Sequence, residues 1–322
     1  MARLNVAPSA AAEVKRLTPT RPSATKWTFA RHETFHLRDG WLYKALRALE
    51  SDPTALYRPD AHQELGVGTN MLSSILYWVR ATQLVEPEIQ QKVQPPLVFT
   101  PLGRLIFEFD PYLEDTATLW LLHTELASNR SLATFWYWAF NEFDRGEFDA
   151  DQLVDGIARF LRDQEADHIV GKSLRKDATC FLRTYAPGWS KRQRDSFEDS
   201  LDCPLAELGL VHRQGSGHFR FASGAHPSLP AAVFGYALCR YRDREGPDRI
   251  VFSLEELRWR PFSPGRLLGL DSEAILALLE SLERERGGIR ISRTAGLSTV
   301  TIEERFDAAD IIASYYQAGR HE

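Results

Sequence analysis

The chain has 322 residues, 43% of them hydrophobic, enough for substantial cores in two or three domains. A net charge of −5 excludes a globally basic nucleic-acid protein, although a local basic patch can still take phosphate. With no apolar run of about 18 residues, no membrane span is expected.

Residues 1–26 have no continuous apolar stretch, so no signal peptide is expected, and their Ala, Pro, Ser, Thr and basic residues predict a disordered tail. Trp27 and Phe29 alternate with polar neighbours, predicting a short extended segment that runs into HETFH, residues 32–36. Asp39-Gly40 signals a helix start, and WLYKALRALE follows with Trp41, Leu42, Ala45, Leu46 and Leu49 at helical spacing. Pro59-Asp60 opens a short helix through Leu65. After Gly66-Val67-Gly68, the run TNMLSSILYWVRA presents Met71, Leu72, Ile75, Leu76 and Val79 as one apolar face. LVEPEIQQKVQPPLVF predicts two short strands around a loop containing Pro95-Pro96, and TPLGRLIF returns to packed structure.

Helix, helix, glycine-containing turn, helix and hairpin is the order of a winged helix-turn-helix, where the tight reversal favours glycine with positive φ. Such modules bind DNA or proteins. In the DNA reading the third helix is the recognition helix. Its non-core face carries Thr69, Asn70, Ser73, Ser74, Tyr77 and Arg80, donors and acceptors suited to base edges and phosphates. Arg80 is the one full charge on that face, with Thr69 also a candidate N-cap.

From 111 to 245 the chain reads as helices joined by short loops. Phe135, Trp136, Tyr137, Trp138, Phe140 and Phe143 surround a helix instead of lining one groove, which predicts core in preference to a base-stacking platform. DADQLVDGIARFLRDQ and KSLRKDATCFLRTY predict amphipathic helices, GHFRF a strand and AAVFGYALCRY a further helix. Between Gly171 and Arg194 seven Lys or Arg stand against one acid, Asp177. Lys172, Arg175 and Lys176 are candidate phosphate contacts there, with a solvated helix face as the alternative. Cys180, Cys203 and Cys239 form no C-x-x-C pair, which predicts buried thiols in a reducing cytoplasm.

From 246 to 322 the chain echoes its beginning. LGLDSEAILALLESL aligns with LGVGTNMLSSILYWV so that Ile275, Leu278, Leu279 and Leu282 match Leu72, Ile75, Leu76 and Val79. IRISRTAGLSTVTI then predicts a hairpin near Ala295-Gly296, giving a second winged-helix-like domain. The fold expectation is therefore mainly α: a tail (1–26), an N-terminal winged helix-turn-helix (27–110), a helical middle (111–245) and a C-terminal winged-helix-like domain (246–322).

HETFH matches H-E-x-x-H, which binds zinc only on a helix, where i and i+4 imidazoles share a face. The strand-like approach and the helix start at Asp39-Gly40 oppose that geometry, and no third ligand announces itself, with Glu50 and Glu64 left open. Zinc is therefore disfavoured. The alternative keeps His32 and Glu33 as base or divalent-metal site, Glu33 being the ligand, with Arg38 as phosphate clamp and Asp39 as N-cap. Against it stands a purely structural role, in which His32 and Glu33 hydrogen-bond neighbouring helix ends.

HETFHLRDGWLYKAL, ELGVGTNMLSSILYW, FTPLGRLIF with DPYLEDTATLWLLH, and SLRKDATCFLRTY, in that order, resemble the SspB-type family of bacterial DNA phosphorothioation and phage-defence systems. The resemblance covers roughly residues 27–190. Its pattern corresponds to His32, Glu33, Thr34, Phe35, Leu37, Arg38, Gly40 and Trp41, while His36 commonly has another residue, often Pro. The family often has Lys where this chain has Thr69, and Arg is common where it has Leu76. The resemblance implies a cytoplasmic DNA-nicking component working beside a cysteine desulfurase and ATP-hydrolysing partners. Two functions stay open at this point. One is a DNA nickase dependent on magnesium or manganese; the other is a non-enzymatic winged-helix adaptor or transcriptional regulator.

Overall fold

The computed structural model describes residues 26–89, 93–143, 146–166, 171–186, 203–215, 217–246, 248–294, 297–303 and 305–319. The predicted tail, apart from Lys26, lies outside them, as do the Lys191–Arg194 end of the basic segment and the Ala295-Gly296 turn.

The predicted opening elements form. Helix α1 (Trp41–Ser51) buries Trp41, Leu42, Ala45, Leu46 and Leu49, the stripe its spacing predicts. A 3-10 turn (Ala55–Tyr57) and α2 (Ala61–Glu64) follow. Gly66 makes the reversal with φ 66°, a left-handed backbone that glycine adopts without steric cost. Helix α3 (Thr69–Ala81) leads into an antiparallel pair, β1 (Val85–Pro87) and β2 (Leu97–Phe99), with Glu86 opposite Val98. Trp27–Phe29 has no ladder partner among the described residues. It is fixed instead by Thr28 N–H donating to Thr134 Oγ1 (2.9 Å) and by Trp27 against the Phe160 ring.

Helix α4 (Pro101–Phe109) starts on a Thr100 cap, whose hydroxyl accepts from Gly103 N–H. The middle contains α5 (Thr116–Ser128), α6 (Thr134–Asn141), α7 (Ala150–Asp163) and α8 (Gly171–Tyr185). The aromatic run on α6 is core, as expected: Phe135, Trp136, Tyr137, Trp138 and Phe140 are all buried. One correction concerns strands. The middle also holds a three-stranded antiparallel sheet in the order β3–β5–β4, from Glu147–Phe148, His218–Phe221 and Val211–Gln214. Only its β5 strand was predicted, because β3 is two residues long and pairs across some 70 residues.

Helix α9 (Ala231–Glu245) leads to the last part, with β6 (Val251–Ser253), α10 (Leu254–Trp259), α11 (Pro264–Leu268), α12 (Ser272–Glu285), β7 (Ile289–Thr294), β8 (Leu297–Ile302) and α13 (Ala308–Gly319). Its sheet is antiparallel in the order β6–β8–β7. No helix among the described residues is long and apolar enough to cross a membrane. Cys180, Cys203 and Cys239 are buried and form no disulfide.

Candidate functional site

HETFH is a turn, not a helix. Phe35 N–H donates to His32 O (2.9 Å) and Thr34 N–H donates to His32 Nδ1 (3.1 Å). Because Nδ1 accepts, the ring carries its proton on Nε2, which donates to Asp177 Oδ1 on α8 (3.1 Å). Asp177 Oδ2 accepts Ala30 N–H (2.8 Å). Burial pushes the Asp177 carboxyl up from its ordinary pKa, partly opposed by His32 and by the Ala30 hydrogen bond. The paired imidazoles of a helical zinc site are thus not formed. The two offered third ligands are engaged elsewhere, Glu50 with Arg104 and Glu64 with Arg58.

His32 and Glu33 therefore part company. His32 has no exposed surface and packs against the Tyr77 and Trp136 rings, whereas Glu33 is exposed with φ 48°. Glu33 lines a cleft of about 380 Å³ with Lys26, Thr28 and Arg31 of its own segment, Ser73, Leu76, Tyr77 and Arg80 of α3, and Leu132. A second cleft of about 580 Å³ shares Lys26, Arg80 and Leu132 and extends along the hairpin past Glu86, Pro87 and Gln94. Arg80 thus stands where the two clefts meet. Its Nε is buried and has no acceptor among the described residues.

The exposed face of α3 is narrower than its spacing predicts. Thr69, Asn70 and Ser73 are exposed and Arg80 is half-buried. Ser74 and Tyr77, expected on that face, are buried, Tyr77 against His32 of the turn and Trp136 of α6. Burial also raises the Tyr77 hydroxyl well above its usual pKa, keeping it neutral.

Arg38, expected as a phosphate clamp, is buried with its guanidinium over the Phe35 and Trp41 rings (5.2 and 5.5 Å), and it lines neither cleft. Lys172, Arg175 and Lys176 are exposed on α8 and also lie outside both clefts. Arg175 pairs with Asp151 on α7 (2.7 Å), an exposed ion pair of about 0–1 kcal/mol that a phosphate could displace. Asp39, expected as N-cap, is replaced in that position by Gly40, which precedes α1 with φ 72°.

Lys26, Arg31 and Asp177 are among the residues that escaped the sequence reading of the site. Lys26 was assigned to the tail, and Arg31 sits one residue before the motif. Asp177 did carry a signal, as the lone acid in the most basic segment of the chain. Glu33 is the one carboxylate of the smaller cleft, and no group of three His, Cys, Asp or Glu able to hold a metal occurs among the described residues. That set fits magnesium held by a single carboxylate, waters and substrate phosphate, and does not fit an all-protein cage.

A family described as Protein of unknown function (DUF4007) matches residues 29–316. Among solved structures, an SspB crystal structure matches with a TM-score of 0.82 at 32% identity, covering 93% of this chain and 91% of that one. A magnesium ion-bound SspB crystal structure matches with a TM-score of 0.82 at 33% identity, covering 92% and 89%. No curated protein matches the sequence.

Proposed function

Since the chain belongs to the DUF4007 family and is of SspB type, we propose that it binds DNA and nicks one strand within a phosphorothioation-based antiphage defence system. The observation that carries this reading is the cleft in which Glu33 meets Ser73 and Arg80 of α3, with Lys26 and Arg31 beside them. The elements α1, α2, α3 and the β1–β2 hairpin support a winged helix-turn-helix, and the order from β6 to β8 supports a second. Under this reading the boundaries near 26, 110 and 245 separate tail, DNA-binding module, helical middle and C-terminal module.

DNA would approach along the exposed turns of α3, where Thr69, Asn70 and Ser73 offer hydrogen bonds to backbone and base edges. Lys172, Arg175 and Lys176 would add sequence-independent phosphate contacts from α8. At the cleft, Arg80, Arg31 and Lys26 stabilise charge that grows on the scissile phosphate. Glu33 takes the proton of the attacking water or helps hold a magnesium or manganese ion with the substrate. A bound ion would neutralise phosphate charge and lower the pKa of its water. His32 is too deeply buried for contact with substrate, and its part is to shape the turn. Work in the cytoplasm beside a cysteine desulfurase and an ATP-hydrolysing component completes the proposal.

The test is conversion of supercoiled plasmid to open circle by pure protein with Mg²⁺ or Mn²⁺. Wild type is expected to nick, and Glu33→Ala to lose about 10²–10⁴-fold in rate. Salt-sensitive binding by a wild type that never cleaves would replace the nickase with a non-enzymatic adaptor.

A further inference from the structure

The turn from Ala30 to Phe35 is held more firmly than a surface turn requires. Asp177 uses both carboxylate oxygens on it, accepting Ala30 N–H at 2.8 Å and His32 Nε2–H at 3.1 Å. One turn further along α8, the Cys180 thiol donates to Phe35 O (3.3 Å). The same carbonyl accepts from Trp78 Nε1 of α3 (3.2 Å), so the turn is tied to both helices that flank it.

The backbone there needs such restraint. Ala30, Glu33 and Thr34 all have positive φ (57°, 48° and 69°), although none is glycine. L-residues avoid this region, β-branched threonine most of all, and such backbone persists only where the surroundings over-determine it. The clamp is also costly in itself. Asp177 is buried, where an ionised carboxylate is disfavoured unless its hydrogen bonds compensate. Its hydrogen bonds reach a segment about 145 residues away, the one that carries Glu33 into the cleft.

We infer that Asp177 is a positioning residue: by clamping Ala30 and His32 it holds the turn in its left-handed conformation and so sets Glu33 in the cleft with Ser73 and Arg80. The inference rests on the reading of Glu33 as base or metal ligand, and it assigns α8 a role besides its basic outer face. Asp177 is buried and lines neither cleft; it acts through the turn.

The test compares full-length wild type, Asp177→Asn and Glu33→Gln. Amide hydrogen exchange is read over residues 30–36, and single-turnover nicking and oligonucleotide affinity are measured on the same preparations. In Asp177→Asn one donor faces an amide N–H in place of a carboxylate oxygen. Exchange at Thr34 and Phe35 should quicken at least tenfold while that of α3 and α8 stays as in wild type. The cleavage rate should fall at least tenfold, with the dissociation constant within about twofold. Unchanged exchange in the turn overturns the inference, and so does faster exchange with full cleavage. If Glu33→Gln cleaves like wild type, the reading of Glu33 itself fails, whatever Asp177→Asn does. Should Asp177→Asn not fold, the other half of the pair decides. His32→Gln, which keeps a donor for Asp177, should retain at least tenfold more cleavage than His32→Ala, and equal rates in the two would overturn the inference.

Discussion

Arg80 is the residue whose surroundings speak most directly for an anion. It stands where two clefts meet, and its buried Nε has no acceptor among the described residues. A guanidinium left this way is prepared to make charge-assisted hydrogen bonds with a phosphate. Arg80→Ala should therefore weaken DNA binding by a similar factor across unrelated sequences and reduce the slope of log affinity against log salt by about 1. A loss confined to one sequence, with the slope intact, would show a base contact instead. Glu33 was legible through the HETFH string, and Arg80 as the one full charge on the outer face expected of α3. Ser74 and Tyr77 misled for a physical reason. Periodicity identifies one buried face, and α3 has two, the second covered by a turn distant in sequence. The positive φ angles at Ala30, Glu33 and Thr34 left no trace in the sequence, because no glycine marks them.

At the scale of elements, the helices with strong local signals were legible. Asp149 and Gln152 form a capping box at the start of α7, and α12 begins at Ser272, the partner of Thr69 in the alignment of the two similar segments. The helix α5 is buried on every side, so no amphipathic stripe announces its packing. The close approach of α4 to the hairpin was also invisible. Gly103 lies so near the Leu84 carbonyl that an added Cβ would sit 1.9 Å from its oxygen. Thr100 strengthens this joint, its hydroxyl donating to Gln83 O (2.7 Å), and both Gln83 and Thr100 line the larger cleft. Gly103→Ala must push α4 away from the hairpin, at a cost of about 1–3 kcal/mol. A lower midpoint in urea with an unchanged slope is expected, together with weaker DNA binding because the cleft wall shifts. Wild-type stability in this variant would mean that the helix and hairpin are not in firm contact.

Across the whole molecule, buried polar bonds join segments far apart in sequence. His123 on α5 bonds Tyr185 of α8 and the Leu267 carbonyl of α11, both at 2.8 Å. Glu125, also on α5 and buried, accepts from Tyr236 (2.6 Å) and from Arg240 through two nitrogens (3.0 Å each). Such groups are expensive to expose singly, because each leaves a buried partner unsatisfied. The last helix, α13, closes this network by packing on α9 and α4. Its Tyr316 stacks on Phe109 of α4, and its hydroxyl lies 2.6 Å from Thr118 Oγ1 of α5. Ile311, Ile312 and Tyr316 are buried, and three such side chains contribute about 2 kcal/mol each. That sum is comparable to the net stability of about 5–15 kcal/mol expected of a folded domain. Removing the chain from Ala308 onward should therefore destabilise more than the C-terminal part. Without Tyr316, α4 loses its stacking partner at Phe109, and the cleft wall that Thr100 forms at the other end of the helix loosens with it. Unfolding in urea, followed by tryptophan fluorescence, should remain one transition but move to lower concentration, and DNA binding should be lost along the same curve. An N-terminal half that still melts and binds as in the full chain would mean that α13 supports only its own neighbours.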